Sequence, residues 1–254
     1  MIKVVLLGTG NVARYFFDNL REKDHIKVIQ VVGRNVSALD YFNDSKAVTT
    51  DFNAIKPADV YILAIKDDAI AKVSHTLSLQ NGLLVHTSGS VAMNVLPNTI
   101  RRGVLYPLQT FSKTPPFYTA NIPFCIEADE ENDLDLLKKL ALSLSDTVHK
   151  VSSHQRLHLH LAAVFANNFT NHMYHLAYKI CEDNAIPFTI LESLIKETSH
   201  KIETSTPFEA QTGPAKRGDT AIIEKHLELL PHTKIKEIYS LLSQSIKDTY
   251  GDEL

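Results

Sequence analysis

The first twenty residues of the chain restrict the possible folds more than any other part of the sequence. An uninterrupted apolar run over residues 4–7 predicts a buried parallel strand, and it leads directly into a G-x-G-x-x-A pattern over residues 8–13. Apolar residues then recur at helical spacing from Val12 to Leu20, and a second apolar run follows over residues 26–32. Strand, tight turn, helix and strand in this order make up the βαβ unit of a dinucleotide-binding fold.

The turn of this unit is the predicted binding site for the pyrophosphate of a dinucleotide. The first glycine allows the turn, the second lets the backbone approach the pyrophosphate, and the helix N-terminus offers unpaired N–H groups and its positive dipole end. The candidate cofactor-binding residues here are Gly8, Thr9, Gly10, Asn11 and Val12. The alternative is a glycine-rich turn in another kind of α/β protein.

The residues after the second strand indicate which dinucleotide is bound. An NAD-binding domain usually carries an acidic residue there for the ribose 2′-hydroxyl, whereas this chain has Gly33, Arg34 and Asn35. A guanidinium suits a 2′-phosphate, so the sequence predicts NADP rather than NAD. The alternative for Arg34 is a solvated surface arginine.

Composition and charge limit the partners of the chain. Of its 254 residues 44% are hydrophobic and 22% are charged, and its net charge of −3 argues against non-specific binding to nucleic acid. The sequence contains no apolar run long enough to span a membrane. Cys125 and Cys181 are isolated, which is typical of free thiols in a reducing compartment. We therefore expect a cytoplasmic protein that binds neither nucleic acid nor membrane.

The predicted secondary-structure pattern changes near residue 152. Strand and helix patterns alternate up to that point, and this alternation predicts an α/β Rossmann domain with a doubly wound parallel sheet over residues 1–152. Residues 153–254 predict an all-α domain, with helices at about His154–Asn184, Ile190–Ile202, Thr220–Leu230 and Ile235–Thr249. A single layer of helices leaves apolar faces uncovered, so we expect a homodimer that forms through this domain.

Four further motifs carry a resemblance to a known family. They are Val60-Tyr61-Ile62-Leu63-Ala64-Ile65-Lys66-Asp67-Asp68, His86-Thr87-Ser88-Gly89-Ser90, Tyr106-Pro107-Leu108-Gln109-Thr110-Phe111 and Thr212-Gly213-Pro214-Ala215-Lys216-Arg217-Gly218-Asp219. Together with the domain order, they make the whole chain resemble an uncharacterised family of Rossmann-like NADP oxidoreductases that carry a C-terminal helical domain of unknown function. That family is similar to the β-hydroxyacid dehydrogenases and pyrroline-carboxylate reductases. The resemblance implies an NADP-dependent oxidoreductase whose helical domain completes the active site and often dimerises.

The segment after the fourth strand resembles the loop that passes the cofactor ribose and nicotinamide in related reductases. The residues concerned are Ala64, Ile65 and Lys66. Lys66 either binds a phosphate or is simply solvated. We expect Asp67 to be the N-cap of the helix that follows.

Two strand ends resemble substrate-binding segments of dehydrogenases. The segment ending in Ser88 resembles the V-D-x-S segment of hydroxyacid dehydrogenases, whose serine holds the substrate; the alternative is a turn serine. His86 stands at the aspartate position and is interpreted as a buried, hydrogen-bonded histidine. Tyr106 stands where prephenate dehydrogenases have a histidine. A phenol is a poor base at neutral pH, so we expect Tyr106 to pack in the core.

The long helix departs from the dehydrogenase pattern. Related enzymes carry K-x-x-N-N with a lysine as acid or base, whereas Val164 occupies the lysine position here and Asn168 is retained. At 100° per residue His158, Asn168 and His175 share one broad face. His158, or alternatively His160, is therefore the candidate substitute acid. Histidines at 154, 158, 172 and 175 also suggest a metal site, but the two pairs are ~21 Å apart along a helix, so we expect no metal.

Arg217 completes the predicted site. It lies beside Lys216 in a glycine-containing loop of a slightly acidic protein, which indicates an anion clamp; the alternative is a surface ion pair. Asp219 is the expected N-cap of the next helix. The sequence thus predicts a small anionic substrate bound at a cleft between the domains by Ser88, Asn168 and Arg217. The rival hypothesis is a non-catalytic NADP-binding or sensing protein.

Overall fold

The computed structural model describes residues 1–45, 47–111, 121–230 and 233–251. The chain divides into two compact units, Met1–Phe165 and Ala166–Leu254. The predicted domain boundary at residue 152 stays a prediction, because a division by spatial compactness does not define where a folding domain ends.

One sheet forms the centre of the first unit. Its strands are β1 (Ile2–Leu7), β2 (Ile26–Val32), β3 (Val48–Thr49), β4 (Val60–Leu63), β5 (Leu83–His86), β6 (Arg101–Pro107), β7 (Phe124–Ala128) and β8 (Val148–Lys150). They lie in the order β3-β2-β1-β4-β5-β6-β7-β8. The strand order reverses between β1 and β4, and ligands of open α/β sheets bind at such a reversal, beyond the carboxyl ends of the strands. The predicted Rossmann fold is confirmed.

The sheet departs from the predicted parallel arrangement at one pair of strands. β6 and β7 are antiparallel, whereas β7 and β8 are parallel to each other. A parallel pair of strands needs a crossover connection, usually a helix, whereas an antiparallel pair does not. The proline-rich segment 113–116, predicted as a loop, lies outside the described residues.

Helices cover both faces of the sheet. They are α1 (Asn11–Leu20), α2 (Val36–Leu39), α3 (Asp67–Thr76), α4 (Glu131–Leu142) and α5 (Ser153–Ala163), with short 3₁₀ helices at Asp40–Ser45 and Met93–Val95. Val4 and Leu6 of β1 pack in the same core cluster as residues of α1 and α4. Val5 and Leu7 face the opposite layer, in a cluster that includes Ile70 of α3. Burial on both faces explains the uninterrupted apolar run of β1.

The second unit is helical, as predicted. Its helices are α6 (Thr170–Asp183), α7 (Glu192–Lys201), α8 (Pro207–Ala210), α9 (Thr220–Leu229) and α10 (Lys234–Tyr250), with a 3₁₀ turn at Phe188–Leu191. A π-helix, Val164–Phe169, lies between α5 and α6. The prediction that His158 and Asn168 share a face assumed 100° per residue, and that spacing does not hold across a π-helix. None of the described helices combines the length and the apolar character needed to cross a bilayer.

Candidate functional site

Gly8 lies where β1 turns towards α1, against the end of β4. Its φ is +131°, a conformation that other residues rarely adopt. A Cβ atom built on it would come within 2.1 Å of the carbonyl oxygen of Ala64. The Gly8 N–H also donates to the Val32 carbonyl at 2.8 Å. The turn therefore brings the ends of three neighbouring strands into contact, and only glycine fits at its corner.

Gly10 leaves open space in front of the first turn of α1. It is the N-cap of the helix, and no side chain caps the N-terminus. A Cβ atom built on Gly10 would meet nothing within 4 Å. The first backbone N–H group to make a hydrogen bond within the helix is that of Arg14, which donates to the Gly10 carbonyl at 3.0 Å. The N–H groups before it point out of the helix end, so this turn fits the pyrophosphate of a dinucleotide.

The remaining residues of the turn hold it in place. The Asn11 side-chain amide donates to the Phe111 carbonyl at 2.8 Å, which ties the start of α1 to the segment after β6. A Cβ atom built on Gly33 would lie 2.4 Å from the methyl carbon of Thr9, so the turn packs closely on the end of β2. Val12 is half-buried and packs against the core. The turn is therefore held by the segment after β6 and by the end of β2.

Arg34 lies directly after β2, as the sequence predicts, and is exposed. The Asn35 side chain accepts the Ala38 N–H at 3.3 Å and so begins α2. A second guanidinium was not singled out from the sequence: that of Arg14 lies 4.5 Å from the centre of the Tyr41 ring. Arg14 lies in α1 and Tyr41 in a later 3₁₀ helix, and a contact between two such elements leaves no periodic pattern in the sequence.

The loop after β4 differs from the prediction at one residue. Ala64 is buried, Ile65 is half-buried and Lys66 is exposed at the N-cap position of α3. Asp67 is the first residue of the helix and does not cap it, so its predicted role as N-cap is wrong.

The Asp67 carboxylate instead binds two serine hydroxyls that follow β5. It accepts a hydrogen bond from Ser88 at 2.7 Å and one from Ser90 at 2.6 Å. β4 and β5 are adjacent, so the residues after them lie side by side, and the serine hydroxyls meet the carboxylate there. Ser90 was not singled out from the sequence.

Ser88 is buried, and its hydroxyl is fully engaged. It donates to Asp67 and accepts the N–H groups of Ser90 and Val91, each at 3.1 Å. A hydroxyl has one hydrogen to donate and two lone pairs, so a substrate would have to displace one of these partners. The predicted contact of Ser88 with substrate stays a prediction.

His86 is a buried, hydrogen-bonded residue, as predicted. Its Nδ1 accepts the Ser88 N–H at 3.2 Å. Burial is the main cause that lowers the pKa of His86 to about 4, with a smaller contribution from the positive charge of Arg156. The imidazole is therefore neutral at physiological pH and supports the loop after β5.

Tyr106 contacts a histidine as well as the core. It packs with Val104 and Cys125, and its hydroxyl lies 3.4 Å from Nδ1 of His160. A Cβ atom on Gly89 would come within 2.7 Å of the tyrosine ring and 2.8 Å of His160 Nδ1. Burial raises the pKa of Tyr106, so its phenol keeps its proton at neutral pH. The prediction of core packing is confirmed but incomplete.

A buried ion pair fixes the start of α5 beside this pair. The Arg156 guanidinium is 1% exposed, forms an ion pair with Glu127 of β7, and donates to the Val91 carbonyl at 2.6 Å. Ser153 also donates its N–H and its hydroxyl to the Glu127 carboxylate, at 2.9 and 2.8 Å. Arg156 and Glu127 were not singled out from the sequence; α5 itself begins with a capping box at Ser152.

The remaining predicted site residues are exposed. Nδ1 of His158 lies 2.8 Å from the His154 carbonyl oxygen in the preceding turn, and the centres of the two histidine rings are 4.5 Å apart. Asn168 lies on the π-helix and Arg217 in the loop before α9. The contacts of His158, Asn168 and Arg217 with substrate stay predictions. The predicted N-cap Asp219 is confirmed, since its carboxylate accepts the Ile222 N–H at 3.2 Å.

The histidine pairs show no complete metal site in the part of the chain that the structure describes. The rings of His154 and His158 are 4.5 Å apart, and those of His172 and His175 are 6.2 Å apart. No group of three or more metal-ligating side chains occurs among the described residues.

Two family models match the chain, one in each part. Residues 3–88 match a family described as NADP oxidoreductase, coenzyme F420-dependent. Residues 122–246 match a domain of unknown function, DUF2520. No curated protein matches the chain.

Solved structures resemble the chain over nearly its full length. A putative NADP oxidoreductase from Bacteroides fragilis is 39% identical, with a TM-score of 0.88 over 97% of this chain and 98% of that one. A protein from Thermotoga maritima is 23% identical, with a TM-score of 0.75 over 98% and 99% of the two chains. The 1-pyrroline-5-carboxylate reductase of Streptococcus pyogenes is 13% identical, with a TM-score of 0.64 over 98% of each chain. The last two share the fold.

Proposed function

Because the chain belongs to the family of NADP oxidoreductases that includes the Bacteroides fragilis protein, we propose that it transfers hydride between NADP(H) and a small anionic substrate. The resemblance noted in the sequence is confirmed for the family and for NADP as its cofactor. The substrate and its position in a cleft between the domains are the proposed parts.

The observation that carries the proposal is the open space at Gly10, beside the close approach of Gly8 to Ala64. The open space at Gly10 leaves room for a pyrophosphate at the N-terminus of α1, and the close approach at Gly8 allows no side chain at that position. Arg34 would hold the 2′-phosphate, and the segment 64–66 would pass the ribose and nicotinamide. NADPH, when bound, supplies the hydride, and the chain's own residues position the substrate and provide a proton.

The loop before α9 supports an anionic substrate. Lys216 and Arg217 lie between Gly213 and Gly218, whose φ values are +111° and +65°. Arg217 is exposed and forms no ion pair with any residue that the structure describes. An unpaired guanidinium on a tight turn suits a carboxylate or phosphate. With the Ser88 hydroxyl engaged by Asp67, Arg217 is the stronger of the proposed anion-binding groups.

Ser88, His158, Asn168 and Arg217 are the residues proposed for the substrate site on the resemblance to dehydrogenases. We also propose a cytoplasmic location, which is supported by two cysteines that are both buried and free.

A turnover assay distinguishes the proposed enzyme from a non-catalytic NADP-binding or sensing protein. The purified chain is mixed with NADPH and, in separate reactions, with pyrroline-5-carboxylate, pyruvate or succinic semialdehyde, and NADPH fluorescence is followed. Oxidation faster than the enzyme-free rate with one of these probes supports the proposal. Tight NADPH binding with no oxidation by any probe favours the sensing protein.

Arg34 is expected to determine the preference for NADP(H) over NAD(H). Replacing Arg34 with aspartate removes a charge-assisted hydrogen bond to the 2′-phosphate and lowers NADPH affinity about 10- to 100-fold, with little effect on NADH. Fluorescence titration measures both affinities. Lys72→Asp on α3 is the control, because it makes the same change of net charge at an exposed position. Equal affinity of the unaltered protein for NADPH and NADH would contradict the assignment.

The second unit is short of buried apolar surface, which supports the proposed homodimer. Among its described hydrophobic residues only Cys181 and Ala215 are buried, whereas Leu229 and Leu241 are 75% and 71% exposed. A cavity of about 400 Å³ opens between α6, α9 and α10, with a largely apolar lining that includes Met173. Exposed apolar surface of this extent marks a protein interface. A second copy of the chain is the partner that we propose.

Light scattering is expected to give a mass near twice the 28.4 kDa of one chain. Changing both Leu229 and Leu241 to glutamate places charges in the proposed interface and should shift the mass towards that of the monomer. Val36→Glu, at a residue of the first unit that is 69% exposed, should leave the dimer intact. A monomeric unaltered protein at micromolar concentration would refute the proposal.

A further inference from the structure

The carboxyl ends of β5 and β6 bring a tyrosine and a histidine together. His86 at the end of β5 pairs with Val104 of β6, so Tyr106 extends beyond β5 at the level of Ser88. Tyr106 meets His160 of α5 there, with 3.4 Å between the hydroxyl and Nδ1. In open α/β sheets ligands bind beyond the carboxyl ends of the strands.

The backbone makes room for this pair. A Cβ atom on Gly89 would lie 2.9 Å from the Tyr106 hydroxyl and 2.8 Å from His160 Nδ1, so any other residue would push the two rings apart. The ring planes meet at 75°, with their centres 6.4 Å apart. The polar edges of the two rings therefore meet over the main chain of Gly89.

The position of His160 is set one helical turn earlier. Arg156 lies on the same side of α5, four residues before it, and is anchored to Glu127 and to the Val91 carbonyl. These bonds join α5 to β7 and to the loop after β5. A side chain carried one turn beyond such an anchor has little freedom to move away from Tyr106.

We propose that His160 donates the proton of the reaction and that Tyr106 positions its ring; the proposal rests on the proposed hydride transfer. Reduction of a C=N or C=O bond adds a hydride to carbon and a proton to nitrogen or oxygen. The proton would come from Nε2 of the imidazolium form of His160, because Nδ1 faces Tyr106, and the ring left behind is a neutral imidazole with its hydrogen on Nδ1. His160 is half-buried, so its ring can regain a proton from solvent.

The charged groups around the pair are consistent with this role. Tyr106 keeps its proton because burial, the Cys125 thiol and the Asp67 carboxylate all raise its pKa, against the opposing charge of Arg156. The phenol oxygen can accept the Nδ1–H of His160, which leaves the Nε2 hydrogen as the one that the imidazolium ring gives up. Neutral His86 adds no charge at this edge.

His158 is the alternative donor suggested by the resemblance, and its contacts differ from those of His160. Its Nδ1 is bound to the His154 carbonyl, and its ring is exposed. Both of these contacts of His158 are to its own helix, whereas His160 meets Tyr106 of the neighbouring strand beside Gly89.

Histidine NMR of the whole protein tests the pair without a substrate. In the unaltered protein the neutral His160 ring is expected to carry its hydrogen on Nδ1, where the Tyr106 oxygen accepts it, and Tyr106→Phe is expected to remove that preference while leaving the His154 signals unchanged. A hydrogen on Nε2 in the neutral ring of the unaltered protein, or no change on Tyr106→Phe, would overturn the positioning role.

Turnover with the probe oxidised in the assay above tests the proton transfer. His160→Gln is expected to lower kcat at least ~10²-fold with an unchanged Kd for NADPH, and Tyr106→Phe to lower kcat and shift its pH profile. His154→Gln, on the same helix, is the control with full activity. Full activity of His160→Gln, or a loss of activity confined to His158→Gln, refutes the assignment of His160 as proton donor. In that case the proposed function still holds, because the unaltered protein turns over. If no probe is oxidised, the proposed function fails, and the assignment fails with it.

Discussion

Alanine in place of Gly8 is expected to destabilise the protein and abolish cofactor binding. The new Cβ atom would lie 2.1 Å from the Ala64 carbonyl oxygen, and the residue would have to keep a φ of +131°. Backbone strain and steric overlap each cost about 1–3 kcal/mol, so we expect a loss of about 3–5 kcal/mol in the free energy of unfolding. Urea denaturation measures the loss, and NADPH titration measures binding.

Gly10→Ala is the matched control for the same turn. Its Cβ atom would meet nothing within 4 Å, so the free energy of unfolding should change by less than about 1 kcal/mol. The added methyl group nevertheless occupies the space where a pyrophosphate would approach, and NADPH affinity should fall at least ~10-fold. Undiminished NADPH affinity of Gly10→Ala would show that the cofactor binds elsewhere.

Glu127→Gln is expected to cause a second large loss of stability. It leaves the Arg156 guanidinium, 1% exposed, without its counter-charge, and breaking a buried ion pair from one side costs about 3–5 kcal/mol. Glu127 itself is 17% exposed, so we expect the lower end of this range. Denaturation midpoints in urea would measure the effect.

Two further variants test whether burial is the cause. Glu131→Gln breaks the ion pair between Glu131 and Lys150, whose side chains are 76% and 66% exposed, respectively. The free energy of unfolding should change by less than about 0.5 kcal/mol. Combining Glu127→Gln with Arg156→Met removes the stranded charge and should cost less than the sum of the single changes. Additive losses would show that the two side chains act independently.

The sequence predicted those features that depend on a few consecutive residues. The turn at Gly8 and Gly10 requires small residues at fixed spacing, and the apolar run of β1 reflects burial on both faces of the sheet. The helical second unit and the cap of α9 by Asp219 follow from periodicity and from a side chain that bonds its own neighbouring backbone. Steric and hydrogen-bonding constraints over so short a distance leave a pattern in the sequence itself.

Only the tertiary structure decided which distant side chains meet. Strand order places Asp67 beside Ser88, twenty-one residues later, and converts an expected helix cap into a partner of two hydroxyls. It also joins Tyr106 to His160 and Arg156 to Glu127, while the π-helix changes the faces that a regular helix would present. Such contacts depend on strand order, register and helix phase, and these are set by the packing of the whole domain rather than by any local run of residues.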